Sequence, residues 1–228
     1  MNALPKYRYE RKFAISGLQY SQVLNYIKIN PAAFRSSFPD RQVNNIYLDD
    51  HSYRTFKDNI SGIAKRKKIR LRWYGDTFDN QAKMSLEYKF RNNFVGSKES
   101  YPVAGFPIKH GFNYLLLQQH LMDANLPQII QGEVSLLQPT LLNSYRRKYF
   151  ESIDRRFRLT LDDQNCYTKI TTRDCNFKHQ LMDHHRIIVE LKYDYILENE
   201  ARSIINAFPF RMTKNSKYVN GLLALNNY

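Results

Sequence analysis

The sequence predicts an α+β protein in which a closed antiparallel β-barrel has a charged interior and helices packed on its outside. At least four predicted strands carry charged side chains at every second position, with apolar side chains between them. A period of two is typical of a strand whose two faces differ chemically. The charged faces are mostly Arg and Lys, and the 228-residue chain has a net charge of +14. We therefore expect a negatively charged partner.

An ordinary half-buried sheet, with its charged faces in water, is the alternative architecture. Solvated sheet faces normally mix small polar and charged residues, whereas these faces are basic except for a Glu two residues before a Lys at three places. The three pairs are Glu10–Lys12, Glu87–Lys89 and Glu190–Lys192. A charged interior has to be wet and has to bind a polyanion, because unpaired buried charges are costly. The few carboxylates favour a divalent cation held together with phosphates over a nucleic-acid groove.

The first half of the chain opens with a strand over residues 7–13. Ser16 is predicted as the N-cap of a helix that ends before Pro31. A strand over 45–49 and a helix from Asp50 to Gly62, with Tyr53, Phe56 and Ile60 buried, are predicted next. The basic strand 65–74 and a strand over 86–91 follow, with turns at Asn92–Asn93 and Gly96–Ser97. A loop from Pro102 to Gly111 then leads to a helix over 112–125 ahead of Pro127. We assign Trp73 of the basic strand to apolar packing.

The second half continues with two strands over 145–150 and 158–162. The polar stretch 163–185 predicts a hairpin or an irregular excursion, and the β-branched run 187–193 predicts the strongest strand of the chain. A helix containing Leu197, Ala201 and Ile204 follows it. No repeat or linker separates two halves, so we predict a single domain over residues 1–228.

Compartment and membrane signals point to a cytoplasmic protein. Cys166 and Cys175 are nine residues apart, which fits no common zinc spacing, and we predict two free thiols. The first twelve residues lack the apolar segment of a signal peptide. No apolar run approaches the roughly 20 residues that a membrane span needs.

Six short segments, in this order along the chain, resemble the VTC domain. This is the polyphosphate polymerase domain of the vacuolar transporter chaperone complex, within the triphosphate tunnel metalloenzyme superfamily. The segments are YERKF at 9–13, KIRLRWY at 68–74, LEYK at 86–89, YRR at 145–147, VELK at 189–192 and SKY at 216–218. Together they span nearly the whole chain.

The resemblance implies a tunnel-shaped barrel that binds a triphosphate and a divalent metal, Mn²⁺ or Mg²⁺. Members of the family transfer the terminal phosphate of ATP to a growing polyphosphate chain. By position, catalytic roles fall on Arg70, Arg72, Lys89 and Lys217, and phosphate binding on Lys12, Lys98, Arg147 and Ser216. Glu190 is the implied principal metal ligand, with Glu10 and Glu87 as further candidates. Arg146 competes with Arg147 for this role, because adjacent strand residues face opposite ways. Arg147 is preferred because it pairs with Tyr145 and Tyr149.

The sequence also departs from the superfamily pattern. The fuller Glu-x-Glu-x-Lys motif is absent, because position 8 is Arg. This fits the VTC branch better than the hydrolytic branches, which hold metals with more carboxylates, and the reduced carboxylate set keeps a non-catalytic polyphosphate- or nucleotide-binding module open. A triphosphate hydrolase and a single-stranded nucleic-acid binder are the remaining alternatives. ATP and polyphosphate are the expected ligands, with no nucleic-acid partner. Lys65, Arg66 and Lys67 are predicted at the barrel mouth, where they steer anions, and the role of Lys68 is left open.

Overall fold

A computed structural model describes residues 8–79, 82–92, 95–109, 112, 114–171 and 175–226. The predictions for Tyr7, Asn93 and Gly111 lie outside these residues. Within them the strands are β1 Arg8–Ser16, β2 Arg35–Asp49, β3 Lys65–Tyr74, β4 Met84–Asn92, β5 Val95–Val103, β6 Gln138–Glu151, β7 Arg158–Ile170, β8 Cys175–Asp183 and β9 Arg186–Asp194. The helices are α1 Tyr20–Lys28, α2 Arg54–Ile60, α3 Tyr114–Met122, α4 Gln128–Val134, α5 Glu198–Asn206 and α6 Lys217–Leu225.

All strands belong to one antiparallel sheet, in the order β1-β9-β7-β6-β2-β3-β4-β5 with β8 on β7. This confirms the predicted α+β class with a mostly antiparallel sheet. Among the described residues, no backbone pairing joins β5 to β1, so the predicted barrel closure is not confirmed. Side chains instead join β1, at one end of the strand order, to β4, the strand next to the other end, because Lys89 Nζ lies 2.9 Å from Glu10 Oε2.

Two local predictions fail in the first half of the chain. Ser16 is the last residue of β1 and not a helix cap; the helix begins after Gln19, whose backbone N–H donates to Gln22 Oε1 at 2.7 Å. Gly96 and Ser97 lie inside β5 and not in a turn. Because β5 ends the strand order, it needs fewer packing side chains and tolerates residues that otherwise mark turns.

The predicted helix over 112–125 is shorter than expected, and a second helix follows it. The first, α3, spans Tyr114–Met122, and Pro127 is the N-cap of the unpredicted α4. Pro102, predicted in a loop, lies in β5, where a missing N–H is tolerated because the strand is at an edge. Ile60, predicted to be buried in α2, is 55% exposed.

Other predictions are confirmed. The polar stretch after residue 163 forms a hairpin, because β7 pairs with β8. Gly62 follows α2 with φ of +70°, a conformation that favours glycine. Trp73 is fully buried in an apolar cluster with residues of α3 and α4. Cys166 is a buried free thiol. Among the described residues, no helix has the length and apolar character that a membrane span requires.

Four helices, α1, α3, α4 and α5, cover the apolar face of the sheet, whereas α2 and α6 border the basic face. One apolar cluster joins β3 and β4 to α3 and α4, and another joins β1, β7 and β9 to α1 and α5. Helix α6 lies close against β6 and β7, because a Cβ on Gly221 would come within 2.6 Å of Leu141 and Tyr167. Ser216 caps α6 by accepting the backbone N–H of Val219 at 3.4 Å.

Candidate functional site

A cavity of about 520 Å³ lies on the basic face of the sheet. Its described lining includes the basic residues Lys12, Arg66, Lys68, Arg70, Arg72, Lys89, Arg91, Arg147, Lys192, Lys214 and Lys217, and the acidic residues Glu10 and Glu190. The period of two explains why β3 contributes four of these cations, since alternate residues of a strand share a face. The excess of cations makes the cavity a site for a polyanion.

The structure brings together nine of the eleven residues singled out from the sequence. Those that line the cavity are Glu10, Lys12, Arg70, Arg72, Lys89, Arg147, Glu190, Ser216 and Lys217. Glu87 and Lys98 are not part of its described lining. Arg146, the disfavoured neighbour of Arg147, donates to Asp163 at 2.6 Å and is also absent from that lining.

Glu87 of β4 is the buried counter-ion of Arg70 in β3. Its Oε2 accepts from Arg70 Nε at 2.9 Å and Nη2 at 2.7 Å, and its Oε1 accepts from Lys98 Nζ at 3.0 Å. Burial raises the pKa of Glu87, but Arg70 and Arg72 outweigh it and lower the pKa to about 2. The carboxylate therefore fixes the guanidinium of Arg70, and Lys98 compensates the same charge from β5.

Asp162 of β7, which the sequence analysis missed, is the second buried counter-ion. It is 0% exposed, and Arg147 donates to it from Nε at 2.5 Å and from Nη2 at 2.7 Å. Lys217 Nζ donates to the same carboxylate at 2.5 Å. Burial raises the pKa of Asp162, but the two cations bring it down to about 2. The alternation of Thr160 and Asp162 on one predicted strand was the available signal for the face on which Asp162 lies. The sequence did not indicate which strand lies beside it.

Tyr145 of β6, which was also not predicted as a site residue, contacts three cations of the cavity. Lys217 Nζ lies 4.2 Å from its ring centroid and Arg147 Cζ lies 5.2 Å from it. Arg72 donates from Nη2 to the Tyr145 hydroxyl at 3.2 Å and from Nε to Asn45 Oδ1 at 2.8 Å. Burial raises the pKa of Tyr145, but Arg147 and Arg72 lower it to about 8.

Glu10 and Glu190 form the acidic part of the lining and share ammonium partners. Lys192 Nζ lies 2.6 Å from Glu190 and 3.5 Å from Glu10, and Lys12 Nζ lies 3.5 Å from Glu190 and 3.7 Å from Glu10. Burial opposes ionisation of Glu190, but Lys192 and Lys12 hold its pKa well below the ordinary value. Both groups are therefore carboxylates in the neutral pH range.

The residues present fit a divalent cation that is bound together with phosphates. Mg²⁺ is commonly held by one or two carboxylates plus substrate phosphates, and Glu190 and Glu10 supply two. No cluster of three His, Cys, Asp or Glu suited to a metal occurs in the described part of the chain. Glu87 fits this role less well, because it is not part of the described cavity lining that contains Glu10 and Glu190.

Two lysines of the lining have a lowered pKa, so they lose their charge more readily than an ordinary lysine. Lys68 Nζ donates to Ser216 Oγ at 2.7 Å, and burial together with the nearby Lys12 and Lys89 places its pKa well below the ordinary value. Burial also lowers the pKa of Lys89 to about 8, although Glu10 opposes this. A bound anion favours the charged forms of both lysines.

We expect tripolyphosphate to bind more weakly above pH 8. Bound phosphates raise the pKa of Lys89, so binding takes up a proton once free Lys89 is neutral, and affinity then falls by up to about tenfold per pH unit for this group. Lys89→Arg keeps its charge over the whole range. Calorimetric titrations from about pH 7 to about pH 9 are expected to show a shallower profile for this variant than for the native chain. Identical profiles would contradict the assignment to Lys89.

Comparisons with known proteins agree with this architecture. The family model described as the VTC domain matches residues 7–226. A comparison with curated proteins found no match. A candidate adenylate cyclase from Vibrio parahaemolyticus has a similar structure, with a TM-score of 0.54 and 12% identity, over 95% of this chain and 98% of that one. A protein from Pyrococcus horikoshii has a TM-score of 0.51 and 10% identity, over 96% and 99% of the two chains. At these identities the likeness concerns the fold alone.

Proposed function

Because the chain belongs to the VTC domain family, we propose that it is a polyphosphate polymerase-like phosphotransferase with ATP as its phosphate donor. The observation that carries this proposal is the cavity lining, in which eleven basic residues face two carboxylates among the described residues. A ligand with several adjacent phosphates neutralises such a lining with the fewest chemical groups. The pairing of the first strand with the last in one sheet supports a single domain.

We also propose that side chains, and not backbone pairing, close the open sheet into a tunnel. The strand β1, at one end of the open strand order, is joined to β4, next to the other end, where Lys89 binds Glu10 at 2.9 Å. Helix α6 covers the polar face at another point, because Lys217 reaches the buried Asp162 and Ser216 accepts from Lys68. Such walls would hold an extended phosphate chain along the strands and exclude bulk water from it.

In the proposed reaction the terminal phosphoryl group of ATP moves to a terminal oxygen of the polyphosphate chain, and ADP leaves. One P–O bond forms and one breaks, so catalysis is mainly positioning and charge neutralisation. Arg70 and Arg72 bind the triphosphate as oriented guanidiniums, and Lys217 neutralises it from the N-terminus of α6. Glu190 and Glu10 would hold a divalent cation, Mn²⁺ or Mg²⁺, whose positive charge neutralises phosphate oxygens when bound.

The direct test is to incubate the purified chain with ATP and Mn²⁺ and to follow polyphosphate, ADP and free phosphate together. We expect polyphosphate to accumulate in step with ADP. Arg70→Gln is expected to slow this by at least about tenfold, since a hydrogen-bonded charge on phosphate is removed. Arg202→Gln, at an exposed position of α5 on the apolar face of the sheet, is the matched control and is expected to act like the native chain. Free phosphate without chain growth would identify a hydrolase instead.

A non-catalytic polyphosphate- or nucleotide-binding module is the second candidate. The observation that favours it is the small number of carboxylates, two, in the described lining. Such a module would bind tripolyphosphate equally well with and without Mn²⁺ and would release no ADP. The same incubation, combined with calorimetry in the presence of a chelator, separates the two candidates.

A further inference from the structure

Two like-charged pairs lie directly opposite each other across β3 and β4. Arg66 is paired with Arg91, and two residues further along Lys68 is paired with Lys89. All four residues line the cavity. Like charges directly opposite on one face of a sheet destabilise the strand pair. Two such pairs in succession are therefore better explained by an anion that lies along them than by the stability of the fold.

Lys89 of the inner pair has a carboxylate partner, whereas Lys68 and Arg66 donate to uncharged acceptors in the contacts of the described residues. Lys89 is 2.9 Å from Glu10, and Lys68 donates to Ser216. Arg66 donates from Nη1 to the Ile63 carbonyl oxygen at 2.6 Å, an acceptor without charge. Burial and the neighbouring Arg91 both lower the pKa of Arg66. An anion at this end of the cavity would relieve both effects.

Asn59 of α2 supplies a third donor at the same end. It lines the cavity, and its Nδ2 is buried without a hydrogen-bond partner among the described residues. An unsatisfied buried amide costs free energy and calls for an explanation, such as a bound group that accepts its hydrogen bond. Phosphate oxygens are acceptors, and the neighbouring Arg66 and Arg91 carry only donors.

The end formed by these residues is also where the cavity meets a second one. A cavity of about 1060 Å³ lies beyond it, and the only described residues that the two linings share are Arg66 and Arg91. Lys65, Lys67 and Arg54 are among the residues that line the outer cavity. The outer cavity also has acidic lining residues, namely Asp49, Asp50, Asp58 and Glu133, so the two shared arginines lie at the boundary between the strongly basic inner cavity and an outer cavity of mixed charge.

We propose that Arg66, Arg91 and Asn59 form an outer phosphate subsite for linear polyphosphate, which holds the part of the chain beyond the triphosphate bound at Arg70 and Arg72. Arg66 lies four strand residues from Arg70, a Cα separation of about 13 Å along β3. This inference rests on the proposed function, because it extends the same ligand along the same strand. It predicts a protein that distinguishes long chains from short ones.

The test compares the affinity of tripolyphosphate, ATP and a long linear polyphosphate of defined length for the full chain and for Arg66→Gln. We expect Arg66→Gln to weaken binding of the long chain by about tenfold, the effect of one lost charged hydrogen bond. Affinity for tripolyphosphate is expected to stay within about twofold of the native value. Asn59→Asp, which places a negative charge in the subsite, is expected to give the same selective loss.

Arg202→Gln removes the same charge from an exposed position on α5, a helix that packs on the apolar face of the sheet, and is expected to change neither affinity. The melting temperature without ligand reports on folding, and Arg66→Gln is expected to leave it unchanged or to raise it, because a repulsive cross-strand pair is removed. An equal loss for all three ligands would assign Arg66 to the triphosphate site and overturn the proposal. A selective loss for ATP would assign the subsite to the nucleoside, and no loss at all would also overturn it.

The outcomes separate this inference from the proposed function. If the native chain binds no tripolyphosphate, the proposed function fails at its first step, whatever Arg66→Gln does. If the native chain binds tripolyphosphate but prefers no longer chain over it, the proposed function stands and the outer subsite is absent.

Discussion

Asp162→Asn is expected to destabilise the fold by about 3–5 kcal/mol, the cost of leaving buried cations without their counter-ion. Asp162 is 0% exposed and accepts hydrogen bonds from both Arg147 and Lys217. The amide keeps the shape of the side chain but loses its charge, so two cations would share a site with no carboxylate. The free energy of unfolding in urea measures this loss directly.

Asp163→Asn is the matched control for this change. Asp163 is the next residue of β7 and binds Arg146 through both carboxylate oxygens, at 3.1 and 2.6 Å, but the side chain of Arg146 is 40% exposed. A pair that solvent reaches in this way contributes about 1 kcal/mol or less. Equal losses for the two variants would contradict the role of burial in this argument.

The loss in Asp162→Asn also depends on pH and on ligand. The cations Arg147 and Lys217 outweigh burial and hold the pKa of Asp162 at about 2 in the folded chain, below the ordinary aspartate value of 3.8. Its stabilisation is therefore present above the unfolded pKa and is lost as the pH falls towards 2. Tripolyphosphate is expected to stabilise the variant more than the native chain, because phosphate replaces the missing counter-ion. A smaller ligand-induced shift in the variant would show that Arg147 and Lys217 do not face the ligand.

The basic face of the sheet could be predicted from the sequence because it depends on alternation within one strand. The period of two along residues 68–73 is enough to place Arg70 and Arg72 together and to bury Trp73 on the other side. The hairpin of β7 and β8 and the stop at Gly62 follow from similarly local signals. None of these predictions requires knowledge of which strands are neighbours.

The counter-ions could not be assigned in this way, because they depend on the register between strands. Glu87 looked like a metal ligand by its spacing from Lys89, yet its position opposite Arg70 in the register of β3 and β4 makes it a partner of that guanidinium. Asp162 pairs with Arg147 for the same reason, across β6 and β7. Barrel closure also depends on long-range geometry, and the pairing of the described residues leaves the strand order open.

Glu190→Gln is expected to abolish metal-dependent phosphate transfer, with a fall of about a hundredfold or more, since charge stabilisation by a bound metal contributes several kcal/mol. Glu190 is 6% exposed, and its pKa is held well below the ordinary value, so it offers a charged carboxylate to the cavity. The amide removes that charge. Calorimetric titration of Mn²⁺ in the presence of tripolyphosphate gives a readout that does not depend on turnover and is expected to show weaker metal binding.

Glu10→Gln and Glu87→Gln rank the three metal candidates in the same titration. Glu10 shares Lys12 and Lys192 with Glu190, so its loss is expected to weaken Mn²⁺ binding as well. Glu87→Gln is expected to leave Mn²⁺ binding unchanged and to alter tripolyphosphate affinity, because Arg70 loses the partner that fixes it. Weaker Mn²⁺ binding in Glu87→Gln than in Glu190→Gln would move the metal to β4. In that case Arg70 would hold a metal ligand in place. The triphosphate would then have to lie in the opposite direction along the cavity, away from Arg70 and Arg72.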